Sequence, residues 1–208
     1  MNIQELPISI ETFITIKDLN TGKILVEGSN AIHQENMSVA LSLALARSAG
    51  SFISEMHFGC GAAIIATDGT VTYRKPNIVG IGADLYTPTY FRVVDDSDIN
   101  RMEESSDGVV IQHNVGSNYS DTIVTATLAN DEPLAVDSTY NTFDSTSSSL
   151  DATTIYDGEF EFNEIGLKTK GNTGLNSGNL LTHFIFHPVQ KNADQTIQIV
   201  YTLRVRAG

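Results

Sequence analysis

The chain has 208 residues and carries 25 acidic against 12 basic side chains, a formal net charge of −13. That balance excludes the Lys/Arg clusters that grip nucleic-acid phosphates, and no apolar run reaches the ~20 residues of a membrane-spanning helix. A single cysteine excludes an intramolecular disulfide or a cysteine metal cluster, and 41% hydrophobic residues are too many for a wholly disordered chain.

At this length a core buries roughly 70% of the unfolded surface without help from metals or disulfides. Met1 to Ile10 shows neither the basic nor the apolar region of a signal peptide. Composition thus describes an acidic protein rich in Ser and Thr (39 residues), without saying what it does.

In chain order, Ile8, Ile10, Thr12, Ile14 and Ile16 alternate with Ser9, Glu11, Phe13, Thr15 and Lys17, the period of a half-buried strand. The turn residues Asn20-Thr21-Gly22-Lys23 then lead into Ile24-Leu25-Val26, so a β-hairpin opens the chain. From about Gln34 to Ala49 the pattern changes: Met37, Ala40, Leu41, Ala44, Leu45 and Ser48 recur at helical spacing. Asn30 or a polar neighbour is placed to cap the start, and Gly50 to stop the helix in a left-handed conformation. Val39, Leu43 and Ala46 make the remaining faces apolar or small, so this helix needs cover on more than one side.

Almost everything after the helix reads as β. Phe52 to Phe58 alternates, Gly59-Cys60-Gly61 interrupts, and Asp68-Gly69 is a hairpin turn between Ile64-Ile65 and Val71-Thr72-Tyr73. Further strands are predicted at 90–94, 109–115, 122–129, 160–167, 180–189 and 196–206. In the last of these Ile197, Ile199, Tyr201, Leu203 and Val205 share one face. Many strands with one helix predict a single mainly β domain over 1–208, an antiparallel β-sandwich of jelly-roll-like type with its helix at 34–49. Two stretches lack core material. Asp95 to Asp107 holds six acids and one Arg, a solvated loop; Asp137 to Gly158 holds ten Ser/Thr around Tyr140, Phe143, Leu150, Ile155 and Tyr156. The second reads as an insertion or arm that drapes over a partner.

Motifs for chemistry are sparse. There is no Gly-x-Ser-x-Gly elbow, phosphate-binding Gly-x-x-x-x-Gly-Lys loop or His-Glu-x-x-His zinc motif. Cys60, with His57 three residues earlier, superficially suggests an activated thiol, but a Cys between two glycines more often fills a tight turn. His183 and His187 suit a metal only on a helix; on the strand expected here about 13 Å separates them. Asp96, Asp98, Asn100 and Asp107 copy four ligand positions of a calcium loop, but Arg101 replaces the required glycine and no helices flank it, so no metal is expected. Glu159, Glu161 and Glu164 offer carboxylates without a sugar cleft. Tyr86, Tyr90, Tyr119, Tyr140 and Tyr156 keep a β-sandwich recognition module for host glycan or a capsid surface as the alternative, although Trp, common in sugar-stacking sites, is missing.

Five stretches in order resemble virion structural proteins of tailed bacteriophages. They are the opening hairpin with Asn30-Ala31-Ile32-His33 and the helix; Ile53 to Gly61, with Cys60 where a small polar residue is expected; Ala83-Asp84-Leu85-Tyr86 with Pro88; Phe162-Asn163-Glu164-Ile165-Gly166-Leu167; and Leu180-Leu181-Thr182-His183 through Pro188 to the final strand. The resemblance implies a non-enzymatic protomer, without cofactor, in the tail, neck or collar or on the capsid. Its implied partners are further copies of itself and other virion proteins, and its implied location is the virion, assembled in the bacterial host cytoplasm. The expected contact elements are the helix (Met37, Leu41, Leu45), the arm (Tyr140, Phe143, Leu150, Tyr156) and a basic terminus (Arg204, Arg206).

Overall fold

The alternation at Ile8 to Ile16 becomes the inward face of strand β1 (Ile8–Asp18) in a computed structural model, which describes residues 7–48, 50–94, 108–130, 132–133, 147–149, 155–156, 159–173 and 176–208. The chain continues through β2 (Ile24–Gly28), β3 (Ala31–Ile32) and helix α1 (Gln34–Leu45). Strands β4 (Ile53–Gly59), β5 (Ala63–Ile65), β6 (Val71–Tyr73) and β7 (Pro88–Val93) follow. Then come β8 (Gly108–Gln112), β9 (Tyr119–Leu128), β10 (Ser147–Ser149), β11 (Ile155–Tyr156) and β12 (Glu159–Thr169). The last two are β13 (Thr182–Lys191) and β14 (Ile197–Ala207).

Two antiparallel sheets face each other, as the strand-rich pattern predicts. The first has the order β2-β1-β14-β9-β8, so the two ends of the chain lie side by side at its middle. In-register pairs such as Ile14 with Tyr201 and Ile16 with Ile199 put both apolar faces inward. The second sheet runs β10-β7-β4-β12-β13-β3, with β11 also on β12. Its inner face supplies Phe58, Tyr90, Phe160, Phe162, Phe184 and Phe186, whose rings meet at centroid distances of 5.2–6.2 Å. Burial of each ring contributes about 1.5–3 kcal/mol, so this aromatic layer is a substantial part of the driving force for the fold.

One irregularity positions the polar layer described below. Along β12, Phe160, Phe162, Ile165 and Leu167 all face the core, so two residues rather than one separate Phe162 from Ile165. The register against β13 shifts at this point, opposite Pro188, which has no N–H to donate to a regular ladder. Asn163 and Glu164 are thereby displaced away from the core, together with Gly166 and Lys168 further along.

The helix differs from expectation at both ends. Asn30 precedes the short bridge of β3 to β13, so the cap falls to His33, whose Nδ1 accepts the Asn36 N–H at 3.2 Å. The helix stops at Leu45 rather than Ala49. Arg47 takes the left-handed conformation (φ 53°) and Ser48 N–H bonds back to the Leu43 carbonyl, so termination does not wait for Gly50. The hairpin predicted at Asp68-Gly69 is present as β5–β6. Two pieces of the 137–158 segment pair within the chain, β10 on β7 and β11 on β12.

Gly166 sits where no side chain fits: a Cβ there would stand 2.5 Å from Leu180 Cδ1 and 2.7 Å from the Thr182 carbonyl oxygen. Gly166→Ala is therefore expected to lower stability by about 1–3 kcal/mol, read from the urea unfolding midpoint.

Candidate functional site

Loop 74–87 and the segment from Asn176 lie over the outward face of the second sheet, with charged groups beneath them. Glu164 is fully buried. Its Oε1 accepts the backbone N–H groups of Gly61 and Thr87, and its Oε2 accepts Tyr86 N–H and His183 Nε2–H, each at 2.9 Å. Asn163 beside it accepts from Ala62 N–H and donates to the Cys60 carbonyl. The 59–62 turn and the Tyr86-Thr87 segment are thus fastened to β12, and Gly59 is needed because a Cβ would meet the Thr87 carbonyl oxygen at 2.6 Å. Lys168, 2% exposed, reaches Asp84 at 2.7 Å, and His57 Nε2 reaches Glu55 Oε2 at 2.7 Å while its ring stacks on Phe91.

These groups resemble an acid–base constellation in composition but not in access. A carboxylate offers about four acceptor sites, and all four at Glu164 are filled by the protein. A general base needs a lone pair aimed at substrate. His57 is committed to Glu55 and not to Cys60 as an activated thiol would require, and Cys60 lies in the turn that Asn163 holds. The pair His183 and His187 serves two separate contacts, Glu164 and the Tyr73 hydroxyl. The described residues contain no group of three His, Cys, Asp or Glu side chains able to hold a metal.

The layer does set a pH dependence. Burial raises the Glu164 carboxyl, but hydrogen bonds from His183 and from the Thr87, Tyr86 and Gly61 N–H groups outweigh it, leaving the group below the usual carboxylate range. Its stabilisation is present above the ordinary Glu value and is lost as pH falls through the folded one. Burial, only partly offset by the bond to Glu55, holds the His57 imidazole below its ordinary value, so the unfolded chain takes up that proton first. Both act in one direction: stability declines from about pH 6.5 downward and again below about pH 4.5. Urea midpoints across a pH series check this, and a flat midpoint between about pH 8 and pH 5 contradicts it.

A second feature lies at the α1 end of the sandwich, where residues of both sheets and of the helix line one opening. An apolar groove of about 660 Å³ opens there. Ile10, Leu203 and Val205 form its floor from the first sheet, edge strand β8 adds Val109 and Ile111, and α1 contributes Met37, Ala40, Leu41 and Ala44. Phe52 and Ile53 close the far wall, with Lys170 Nζ 5.4 Å from the Phe52 ring centre. Apolar side chains continue onto the surface: Leu45 is 90% exposed, Ile111 74% and Leu41 40%. The helix is covered on one face only, through Asn36, Met37 and Ala40. Of the helix residues expected to make contacts, Leu41 and Leu45 are displayed, whereas Met37 is buried as groove wall.

The other expected contact residues are placed differently. Arg204 makes a two-bonded ion pair with Asp121 at 2.8 Å and lies over Tyr119, 4.2 Å from its ring centre, while Arg206 approaches Glu11 at 3.8 Å. The charges of the basic terminus are answered within the chain. Tyr90 is buried in the core, and Arg74 and Arg204 each lie over one face of Tyr86 and Tyr119. Tyr156 falls in β11; Tyr140, Phe143, Leu150, Asp96, Asp98, Asn100 and Asp107 lie outside the described residues.

No protein-family model matches the chain, and no curated protein or solved structure matches it either. Sequence reasoning anticipated the helix but missed the Glu164 clamp, because Glu164 reads as one more polar position in an alternating strand. The available signal was Phe162-Asn163-Glu164-Ile165, in which two polar residues replace one between core positions.

Proposed function

We propose that the protein is a non-enzymatic structural subunit that self-associates through the groove end of its sandwich, as a component of a tailed-bacteriophage particle in the tail, neck or collar or on the capsid. The observation that carries self-association is the apolar groove continued by Leu41, Leu45 and Ile111 on the surface. Contiguous exposed apolar surface of this kind marks interaction sites. Burying what these three side chains still expose contributes roughly 3–6 kcal/mol, against an association cost of about 4–15 kcal/mol. One such contact is therefore weak alone and suits a closed ring, in which each subunit makes it twice.

The phage setting rests on the five resembling stretches. Three of them meet at the Glu164 clamp: the 59–61 turn, the Tyr86-Thr87 segment and Asn163-Glu164, with His183 from a fourth. The shared residues thus lie in a fastening and not in a catalytic cleft, in keeping with a scaffold role. Labelled antibody against the purified protein, imaged on intact particles by electron microscopy, is expected to decorate one part of the particle; particles that bind no label would overturn the phage assignment.

A further inference from the structure

A ring of more than two copies needs two different surfaces on each subunit, because its contacts run head to tail. The groove supplies one of them. Among the described residues, the apolar side chains left in water point to the other. Ile8 and Val115 lie on or directly after β1 and β8, strands that line the groove, and so belong to that end. Away from the groove and its helix the largest exposures are Val79 at 85% and Ile81 at 54%, two residues apart in loop 74–87. No residue of this loop lines the groove, so the two surfaces are separate.

The main chain around these two residues is fixed. Ala83 N–H donates to the Gly80 carbonyl at 2.9 Å, closing a turn around Ile81 and Gly82. His33 Nδ1 accepts the Asn36 N–H, so its Nε2–H donates to the same Gly80 carbonyl at 2.9 Å. The Asn36 side-chain amide donates to the Ile81 carbonyl at 3.4 Å, and Asn77 N–H is held by His183 Nδ1 at 2.8 Å. The turn nevertheless stands clear of the body: a Cβ added at Gly80 or Gly82 would meet no atom within 4 Å. The fold thus holds an apolar tip out in water. Fixing it in advance removes the ordering cost that a loose loop would meet on binding.

Charge selects the same two surfaces. Copies with a net charge of −13 repel one another. Residues 77–83 carry no charged side chain, and neither do 36–46 on α1 or 108–112 on β8. The single charged residue lining the groove is the cation Lys170. Where the tip meets the groove, apolar burial is therefore not opposed by facing acids.

We propose that the turn carrying Val79 and Ile81 of one copy seats in the apolar groove of the next, in a head-to-tail contact. The inference rests on self-association through the groove, which it deepens by naming the occupant, and not on the phage assignment.

The test uses light scattering of the full chain. Changing Val79 and Ile81 together to Asp is expected to weaken self-association roughly 10- to 300-fold. If that variant does not fold, Val79→Asp alone, at the more exposed position, is expected to weaken it roughly 5- to 20-fold. Mixing then tests the pairing. The tip variant keeps an intact groove and the Leu41/Leu45 double Asp variant keeps an intact tip. Each alone is expected to stay at the single-chain mass, and the two mixed at the highest concentration of the series to form a two-chain species and nothing larger. A tip variant that assembles as the wild type does would overturn the inference in favour of groove-on-groove pairing and leave self-association standing. A mixture that stays at the single-chain mass while the wild type assembles would also overturn it. A wild type that is monomeric at every concentration would remove self-association itself, and the tip contact with it.

Discussion

Glu164→Ala is expected to cost about 3–5 kcal/mol of folding stability, the range for removing one partner from a buried charged network. Four donors converge on the carboxylate, and truncation leaves Gly61, Tyr86 and Thr87 N–H and the His183 ring N–H without acceptors under a covering loop. Each stranded buried donor costs about 1–3 kcal/mol, so the loss exceeds that of an ordinary core truncation unless water enters. Glu164→Gln preserves the shape but turns one acceptor oxygen into an NH2 group facing N–H donors, and about 2–3 kcal/mol is expected for two displaced bonds. Urea unfolding at neutral pH measures both. If either variant unfolds within ~0.5 kcal/mol of the wild type, the clamp contributes little and the loop is held by other contacts.

The second large effect is on association. Changing Leu41 and Leu45 together to Asp is expected to weaken self-association roughly 30- to 1,000-fold, the equivalent of losing about 2–4 kcal/mol of apolar burial in the contact. Leu45 is 90% and Leu41 40% exposed in the single chain, so the subunit loses chiefly helix propensity and gains acids near the negative end of the helix, and its stability is expected to fall by about 1–2 kcal/mol. That separation is the useful feature. Unfolding measured at low protein concentration reports the subunit, and the dissociation constant reports the contact. A variant that unfolds readily would show that the helix face is part of the subunit core, not an interface.

Much of the fold was legible because the sheets obey period 2. The faces of β1 and β14 follow directly from alternation, and their pairing joins two strands with the same apolar spacing. The helix was legible from Met37, Ala40, Leu41 and Ala44, and its excess of apolar residues agrees with the exposure of Leu41 and Leu45. Its ends were not, because caps depend on single side-chain bonds: His33 acts as the cap only once β3 has brought it to the start of the helix. The clamp was hidden for a related reason. Three of its four donors come from residues 61, 86 and 87, more than 70 positions from Glu164, and these main-chain N–H groups carry no side-chain signature. The groove was half visible. Leu41 belonged to a helix stripe, but Ile111 and Val205 read as ordinary strand positions, and only the fold brings them together at one opening. Arg204 and Arg206 misled in the opposite sense: as a terminal basic pair they suggested a partner, yet Asp121 and Glu11 lie directly across the strands from Arg204.

The central claim is that the groove end of the sandwich is a contact between copies, and light scattering of the purified full chain over a wide concentration range tests it most directly. The mass is expected to rise with concentration toward a discrete multiple of the 22.5 kDa subunit, and the Leu41/Leu45 double Asp variant is expected to stay at the single-chain mass throughout. A wild-type chain that remains a monomer at every concentration, or a variant that assembles as the wild type does, would contradict it.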